Sequence, residues 1–314
     1  MQKIDLDRRI ELFRGCVTPR VRMSDTLIDL YGEDALVDLC SESEALKIRV
    51  RAATGVRIAM ATDAVEIEYE IVCGAAARKI FTSDIDVNGV VTTLDGNGPH
   101  RLSLPRGNKN IVIHLPHLVV NEKISLSIND GAKIEAVPCK AKKLLICGDS
   151  IFQGMTCSHP TAAVGVLLAD KLDVEFHNTS VGGGTMRPEV VEATIALGGD
   201  ILLTGFGAND VFRGTAPDIF RKRTRKTLEL LNDFNGKSFL VVPIPCLKVE
   251  PERREFYCDI IREEHKDFPC VKLINGADFY PADEELFADG THPNDRGMKI
   301  YADGLAAIIA PELC

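Results

Sequence analysis

Residues 143–151 read KLLICGDSI: Leu144, Leu145, Ile146 and Cys147 run without a polar break into Gly148-Asp149-Ser150-Ile151. A continuous apolar run, rather than an alternating one, marks a strand covered on both faces, the usual state in a parallel sheet. Gly148 gives the backbone room to turn sharply at the strand end. Ser150 then stands at the carboxyl end of a parallel strand, where open α/β sheets take their ligands. Working outward, further apolar runs occur at 174–176, 201–203, 239–242 and 271–274. Helical patterns at 161–172, 188–197, 218–232, 251–266 and 296–309 separate and follow them. Strand alternating with helix five times predicts a doubly wound α/β domain.

Upstream the periodicity changes. Between about 46 and 137 it has period two: Leu46, Ile48 and Val50 alternate with Lys47, Arg49 and Arg51. Val65, Ile67, Tyr69 and Ile71 alternate with glutamates, and Ile124, Leu126 and Ile128 repeat the pattern. Alternate strand side chains face opposite ways, so each segment has one apolar and one wet face. Asn88-Gly89, Asp95-Gly96 and Asp130-Gly131 read as tight hairpin turns that tolerate positive φ. The whole predicts an antiparallel β-sandwich. Residues 138–141 (PCKA) are the junction, giving a β-sandwich domain at 1–140 and an α/β domain at 141–314.

Composition bounds the function. A chain of 314 residues is long enough for two domains at about 150 each. Its 45 % hydrophobic and 26 % charged fractions are those of an ordinary globular protein. A net charge of −9 argues against a nucleic-acid partner, which needs a basic face. The local basic cluster Arg221, Lys222, Arg223, Arg225 and Lys226 is read as a solvated helix face. No segment approaches the ~20 apolar residues of a membrane span, so no membrane partner is expected. The first residues lack a signal-peptide core, and the ten cysteines are scattered singly with no C-x-x-C pair. A cytoplasmic protein with reduced thiols is the expectation.

Taken alone, G-D-S-I reads as a turn or helix cap. Three further segments change that reading. Asn178-Thr179-Ser180-Val181-Gly182-Gly183-Gly184 follows the second strand and exposes backbone N–H groups. Gly205-Phe206-Gly207-Ala208-Asn209-Asp210 follows the third and offers an amide side chain. Asp289-Gly290-Thr291-His292-Pro293 lies near the C-terminus. An Asp three residues before a His can hold the imidazole Nδ1–H and leave the other nitrogen free to take a proton.

With these four segments in this order, residues ~141–314 resemble the SGNH hydrolases, also called the GDSL esterase family. The signature residues carry over to Ser150 in GDSI, Gly183 in the glycine loop, Asn209 in GAND and His292 in DGTHP, with Asp289 as the triad acid. The resemblance implies a three-layer αβα, flavodoxin-like domain with five parallel strands. It also implies a Ser150–His292–Asp289 triad, an oxyanion hole from Ser150, Gly183 and Asn209, and no cofactor. The G-x-S-x-G elbow of α/β-hydrolases proper is absent. Residues ~1–140 look like the jelly-roll-like N-terminal β-sandwich of two-domain bacterial SGNH esterases, some of which deacetylate carbohydrates.

The substrate so implied is a small-molecule acyl ester, an acetylated sugar above all. Three other readings stand beside it: a longer-chain acyl hydrolase (lipase, lysophospholipase or thioesterase), transfer of the acyl group to a sugar hydroxyl, and a glycan- or protein-binding sandwich with a degenerate hydrolase domain. Oligomeric state is not legible.

The remaining candidates take ordinary readings. His114 and His117 in H-L-P-H lack a third ligand for zinc, so no metal is expected. His159 is read as a surface residue at a helix start or a lining of the pocket mouth, and His177 as a buried strand residue. Asp210 is read as support for the Asn209 loop or a cap. Met186 and Arg187 are read as bordering the acyl or alcohol pocket. Cys147 is a neighbour of the site, and Gly205–Gly207 is too short for a dinucleotide fingerprint.

Overall fold

The computed structural model describes residues 1–21, 26–29 and 43–313. The chain divides into two units, Met1–Cys139 with Ser158–Thr161, and Lys140–Cys157 with Ala162–Cys314.

The first unit is antiparallel β. Its strands are β1 (Gln2–Ile4), β2 (Phe13–Arg14), β3 (Thr18–Val21), β4 (Thr26–Asp29), β5 (Arg57–Thr62), β6 (Glu66–Ala76), β7 (Ser83–Val87), β8 (Val90–Leu94), β9 (Gly98–Ser103), β10 (Lys109–His114), β11 (Val119–Ile128) and β12 (Ile134–Ala136). One sheet has the order β1-β11-β6-β9, and a second the order β12-β5-β10-β7-β8, with β2 also on β5. The alternation read from the sequence is what fills the interior. Ile67, Tyr69, Ile71, Ile124, Leu126 and Ile128 of the first sheet are buried, as are Ile58, Met60, Ile85, Ile111 and Ile113 of the second. This is a β-sandwich.

Two expectations for this unit are corrected. Leu46, Ile48 and Val50 do not form a strand: Glu44–Val50 is helix α1, whose Ser43 side chain accepts from Leu46 N–H at its start. Leu46 and Val50 are buried; four residues apart, they share one helical face, and Ala, Leu, Lys and Glu favour the helix. Of the three turns, Asn88-Gly89 alone closes a hairpin, β7 to β8, with φ of 52° and 87°. Asp95-Gly96 and Asp130-Gly131 also carry left-handed glycines, but each leads from a strand of one sheet to a strand of the other. Turn chemistry fixes the local bend; burial of the flanking strand faces decides which strand each will join.

The second unit follows the predicted alternation. Strands β13 (Lys143–Gly148), β14 (Glu175–Asn178), β15 (Ile201–Gly205), β16 (Lys237–Val242) and β17 (Lys272–Asn275) form one parallel sheet in the order β14-β13-β15-β16-β17. This is the flavodoxin-like order, with its switch point between β13 and β15. The helices are α2 (Ser150–Gln153), α3 (Val164–Leu172), α4 (Pro188–Ile195), α5 (Ala208–Arg213), α6 (Pro217–Asn232), α7 (Pro251–His265) and α8 (Asp295–Ile309). Helices α3 and α8 pack together over one face, whose core includes Leu144, Ile146, Leu203, Val241, Val164, Leu168, Tyr301 and Leu305. Helix α6 packs on α4 and α7. The basic run on α6 is not merely solvated. Arg221 pairs with Glu263 and Glu264, and Arg225 with Glu264 and Asp267, at 2.7–2.9 Å. These pairs tie α6 to α7.

Close packing at the sheet's switch point positions Ser150. Helix α2 starts directly after β13, capped by Asp149, whose side chain accepts from Ile151 N–H, and stops at Gly154 with φ 78°. Its Phe152 ring lies against two strand ends. A Cβ on Gly205 would sit 2.0 Å from Phe152 Cε2, and one on Gly148 2.8 Å from Phe152 Cδ2 and 2.6 Å from the Gly205 carbonyl oxygen. Only glycine fits at either place. We expect Gly205→Ala to cost about 1–3 kcal/mol, the usual range for overpacking, lowering the melting temperature by several degrees, and to displace α2 enough to reduce turnover. Thermal unfolding and esterase assays on the same preparation check both.

Candidate active site

Four loops at the carboxyl ends of the strands carry the residues singled out in the sequence. Ser150 opens α2 and is 8 % exposed. Its Oγ lies 2.8 Å from His292 Nε2. His292 Nδ1 lies 2.9 Å from Asp289 Oδ2 and 3.1 Å from Oδ1. Ser150, His292 and Asp289 therefore form one continuous hydrogen-bonded chain across 142 positions of sequence.

The Asp289–His292 turn is built locally. Gly290 takes φ 75°, and Asp289 Oδ1 accepts from the backbone N–H of Thr291 at 3.1 Å and of His292 at 2.9 Å. Ala288 N–H bonds back to the His292 carbonyl, closing the loop. Burial alone would raise the Asp289 carboxyl. The His292 backbone and ring, with Thr291 N–H, outweigh it and hold the carboxyl down at about 2. Asp289 is thus charged wherever the imidazole could titrate, and it fixes Nδ1 as the donor.

The glycine loop is gripped from several sides. Gly182 N–H donates to Gln153 Oε1 at 2.7 Å, and the Met186 N–H donates to Asp210 Oδ2 at 2.8 Å. Asn209 Nδ2 donates to the Gly184 carbonyl at 3.0 Å, and Arg213 Nη2 to the Gly183 carbonyl at 2.8 Å. Gly183 itself has φ 81°. Asn178 ties the loop's start to α2 by donating to the Phe152 carbonyl while accepting from Ser180 N–H. The structure therefore brings Ser150, His292 and Asp289 into direct contact, and Asn209 onto the loop that holds Gly183.

Against known proteins, residues 146–300 match the model of the GDSL-like lipase/acylhydrolase family. The second unit belongs to that family. The chain is accordingly a carboxylic ester hydrolase of the GDSL, or SGNH, type. An arylesterase of Vibrio mimicus is 24 % identical over 195 residues, 57 % of this chain and 94 % of that protein. Among solved structures, the salicylyl-acyltransferase SsfX3 of a tetracycline biosynthetic pathway superposes with a TM-score of 0.78 at 16 % identity, covering 96 % of this chain and 94 % of that one. A family two carbohydrate esterase from Clostridium thermocellum, solved with cellohexaose, gives 0.66 at 14 % identity over 83 % and 94 %.

Around the GDSL site, Gln153 went unnoticed in the sequence. It lies one turn after Ser150, yet only the fold reveals that it is fully buried and bonded to Gly182. Arg213, at the exposed end of α5, was equally invisible. Asp210 serves the loop through Met186 N–H. His177 is buried in β14, and Cys147 in β13. His159 is not a free surface residue: in the first unit its Nδ1 lies 2.8 Å from the buried Asp84 carboxylate. His114 is driven down to about 3 by burial and by Arg57 nearby, so it is neutral. Among the described residues no group of His, Cys, Asp and Glu could hold a metal ion. Nor is any helix among them long and apolar enough to cross a membrane.

Asp149 carries a cost of its own. Burial pushes its carboxyl up to about 7; the Ile151 N–H opposes this and the Asp210 charge adds to it. A carboxyl raised in the folded state binds its proton more tightly there than in the unfolded chain. Stability therefore falls as pH climbs from the ordinary carboxylate range toward 7. Asparagine keeps the Oδ1 acceptor without the charge. Asp149→Asn should raise the melting temperature relative to the parent more at pH 8 than at pH 4, as calorimetry at the two pH values would measure.

Proposed function

We propose that this esterase removes a short acyl group, acetyl first among them, from a carbohydrate ester, with Ser150 as nucleophile, His292 as base and Asp289 as the orienting acid. The 2.8 Å contact between His292 Nε2 and Ser150 Oγ carries the reading. A serine hydroxyl attacks an ester only if its proton is taken as the new bond forms. His292 Nε2 accepts that proton while Ser150 Oγ bonds to the acyl carbon. The ester C–O bond then breaks, and the same proton goes to the leaving alcohol. Water, deprotonated by His292, attacks the acyl-enzyme; the carboxylic acid departs and Ser150 regains its proton.

The negative charge on the tetrahedral oxygen is assigned to the Ser150 and Gly183 N–H groups and the Asn209 amide. One Nδ2 hydrogen of Asn209 is occupied by Gly184, which fixes the amide plane and leaves the second for the oxyanion. Preorganised donors of this kind need no rearrangement as charge develops.

Ser150→Ala should lower kcat by at least ~10⁴-fold with an unchanged melting temperature, and should abolish labelling by a fluorophosphonate probe. Labelling at another serine, or full turnover in folded Ser150→Ala, overturns the assignment. Asn209→Ala should lower kcat ~10²–10³-fold with little change in KM.

The carbohydrate part of the reading is supported by the likeness of the fold to the cellohexaose-bound carbohydrate esterase. On p-nitrophenyl esters we expect kcat/KM to fall steeply from acetate to octanoate; a maximum at octanoate would favour a lipase or thioesterase instead. The likeness to the salicylyl-acyltransferase raises acyl transfer as a second reading. Product analysis with an added sugar acceptor separates the two: free acid means hydrolysis, a new sugar ester means transfer.

A further inference from the structure

His292 Nε2 and Ser150 Oγ have to stay at hydrogen-bond distance for proton transfer, yet they stand on separate loops. A base works only within about 2.6–3.2 Å of the group it deprotonates, and a misplacement of about 1 Å can cost about 10²-fold in rate. The Asp289–His292 turn is closed on itself, by the Asp289 carboxylate and by the bond from Ala288 N–H to the His292 carbonyl. Those bonds orient the imidazole within its own turn. They do not hold that turn against helix α2, which carries the nucleophile.

A threonine directly after α2 does. Gly154 ends the helix in a left-handed conformation. Met155 N–H then bonds to the Ser150 carbonyl at 3.0 Å, and Cys157 N–H to the Gly154 carbonyl at 3.0 Å. Met155 and Cys157 are buried, and Thr156 between them is half-buried. Its Oγ1 donates to the Pro293 carbonyl at 2.8 Å, across 137 positions of sequence.

Pro293 follows His292 directly. A proline has no N–H, so that carbonyl is its one backbone hydrogen-bonding group. The residue is buried and backed by the start of α8, where a Cβ on Gly297 would lie 3.0 Å from Pro293 Cβ. Asn294 N–H, next along, bonds to the Leu286 carbonyl at 2.9 Å. Thr156 is therefore bonded to a well-held point one residue from the base. The contacts close into a ring: the Ser150 carbonyl to Met155, Thr156 to Pro293, and His292 back to the Ser150 hydroxyl.

We propose that Thr156 is a positioning residue for the reaction, whose hydroxyl holds the histidine turn against α2 and so sets the distance over which His292 takes the Ser150 proton. The proposal rests on the Ser150–His292 reading above, and Thr156 acts through Pro293 rather than on the reacting atoms. Its bond matters most in the acyl-enzyme. Ser150 Oγ then carries the acyl group and has no proton to share with His292, while the Thr156 bond still keeps the imidazole in reach of the attacking water.

Thr156→Val keeps the side-chain shape and removes the donor. On p-nitrophenyl acetate kcat should fall ~10–100-fold with KM changed by less than about twofold, and Thr156→Ser, which keeps the hydroxyl, should recover most of the loss. A double-mutant cycle with His292→Ala separates positioning of the base from general support of the fold. A bond that acts through His292 has nothing to act on once the imidazole is gone. Thr156→Val should then leave the residual turnover of His292→Ala unchanged within about twofold. An equal fall in both backgrounds means that Thr156 supports the fold or the oxyanion donors instead, and overturns the proposal; parent-like kcat in Thr156→Val does the same. Melting temperatures are taken for every variant, and if the valine protein does not fold, Thr156→Ala is measured in the same two backgrounds. Full turnover in folded Ser150→Ala overturns the mechanism beneath, a result distinct from any of these.

Discussion

The Phe152 ring, pressed against the bare backbones of Gly148 and Gly205, is the contact on which the site's geometry depends. It brings the first turn of α2 down onto the ends of β13 and β15, at the point where the sheet's strand order reverses. No side chain can be added at either glycine without moving the ring, so the direction of α2 has little freedom. From that fixed direction follow the place of Ser150 at the helix start and of Gln153 one turn on. Through Gln153 and the Phe152 carbonyl, the glycine loop is then bonded to the same short helix.

The loops interlock by hydrogen bonds that no single loop could satisfy alone. Gly182 relies on Gln153, Met186 on Asp210, and Gly184 and Gly183 on Asn209 and Arg213 as donors. Each bond consumes a backbone group that would otherwise be left unpaired in a buried loop. The result is a set of groups held before any substrate arrives, which electrostatic stabilisation of a developing charge requires. Two carboxyls in this region are driven opposite ways. Asp289, given two backbone N–H groups and an imidazole, is held low; Asp149, fully buried and near the Asp210 charge, is pushed up. Asp149 is the more deeply buried of the two and lacks an imidazole partner, and the two differences act in the same direction.

Much of this was legible in the residues. The apolar runs ending at Gly148, Gly205 and Val242 identified buried parallel strands, because a strand covered on both faces cannot afford polar alternation. The spacing of Asp289 and His292 identified a turn that closes on itself. Legibility failed where a pattern had two solutions. Leu46, Ile48 and Val50 fit a strand by alternation and a helix by the pair Leu46–Val50; the Ser43 cap and the burial of that pair chose the helix. Asp95-Gly96 specified a turn as well as Asn88-Gly89 did, yet its strands separate into different sheets. Gln153 and Arg213 gave no signal, since their importance lies in partners far along the chain.

By itself, then, the sequence determined the fold class, the family and the identity of the residues at Ser150, Gly183, Asn209, Asp289 and His292. Those follow from periodicity and short motifs, which are local properties of the chain. Only the tertiary structure decided that Ser150 Oγ and His292 Nε2, 142 residues apart, lie 2.8 Å from one another. It alone also decided which groups brace the glycine loop. Those depend on how strand ends and helices pack in three dimensions, and packing distances are not written in any one segment.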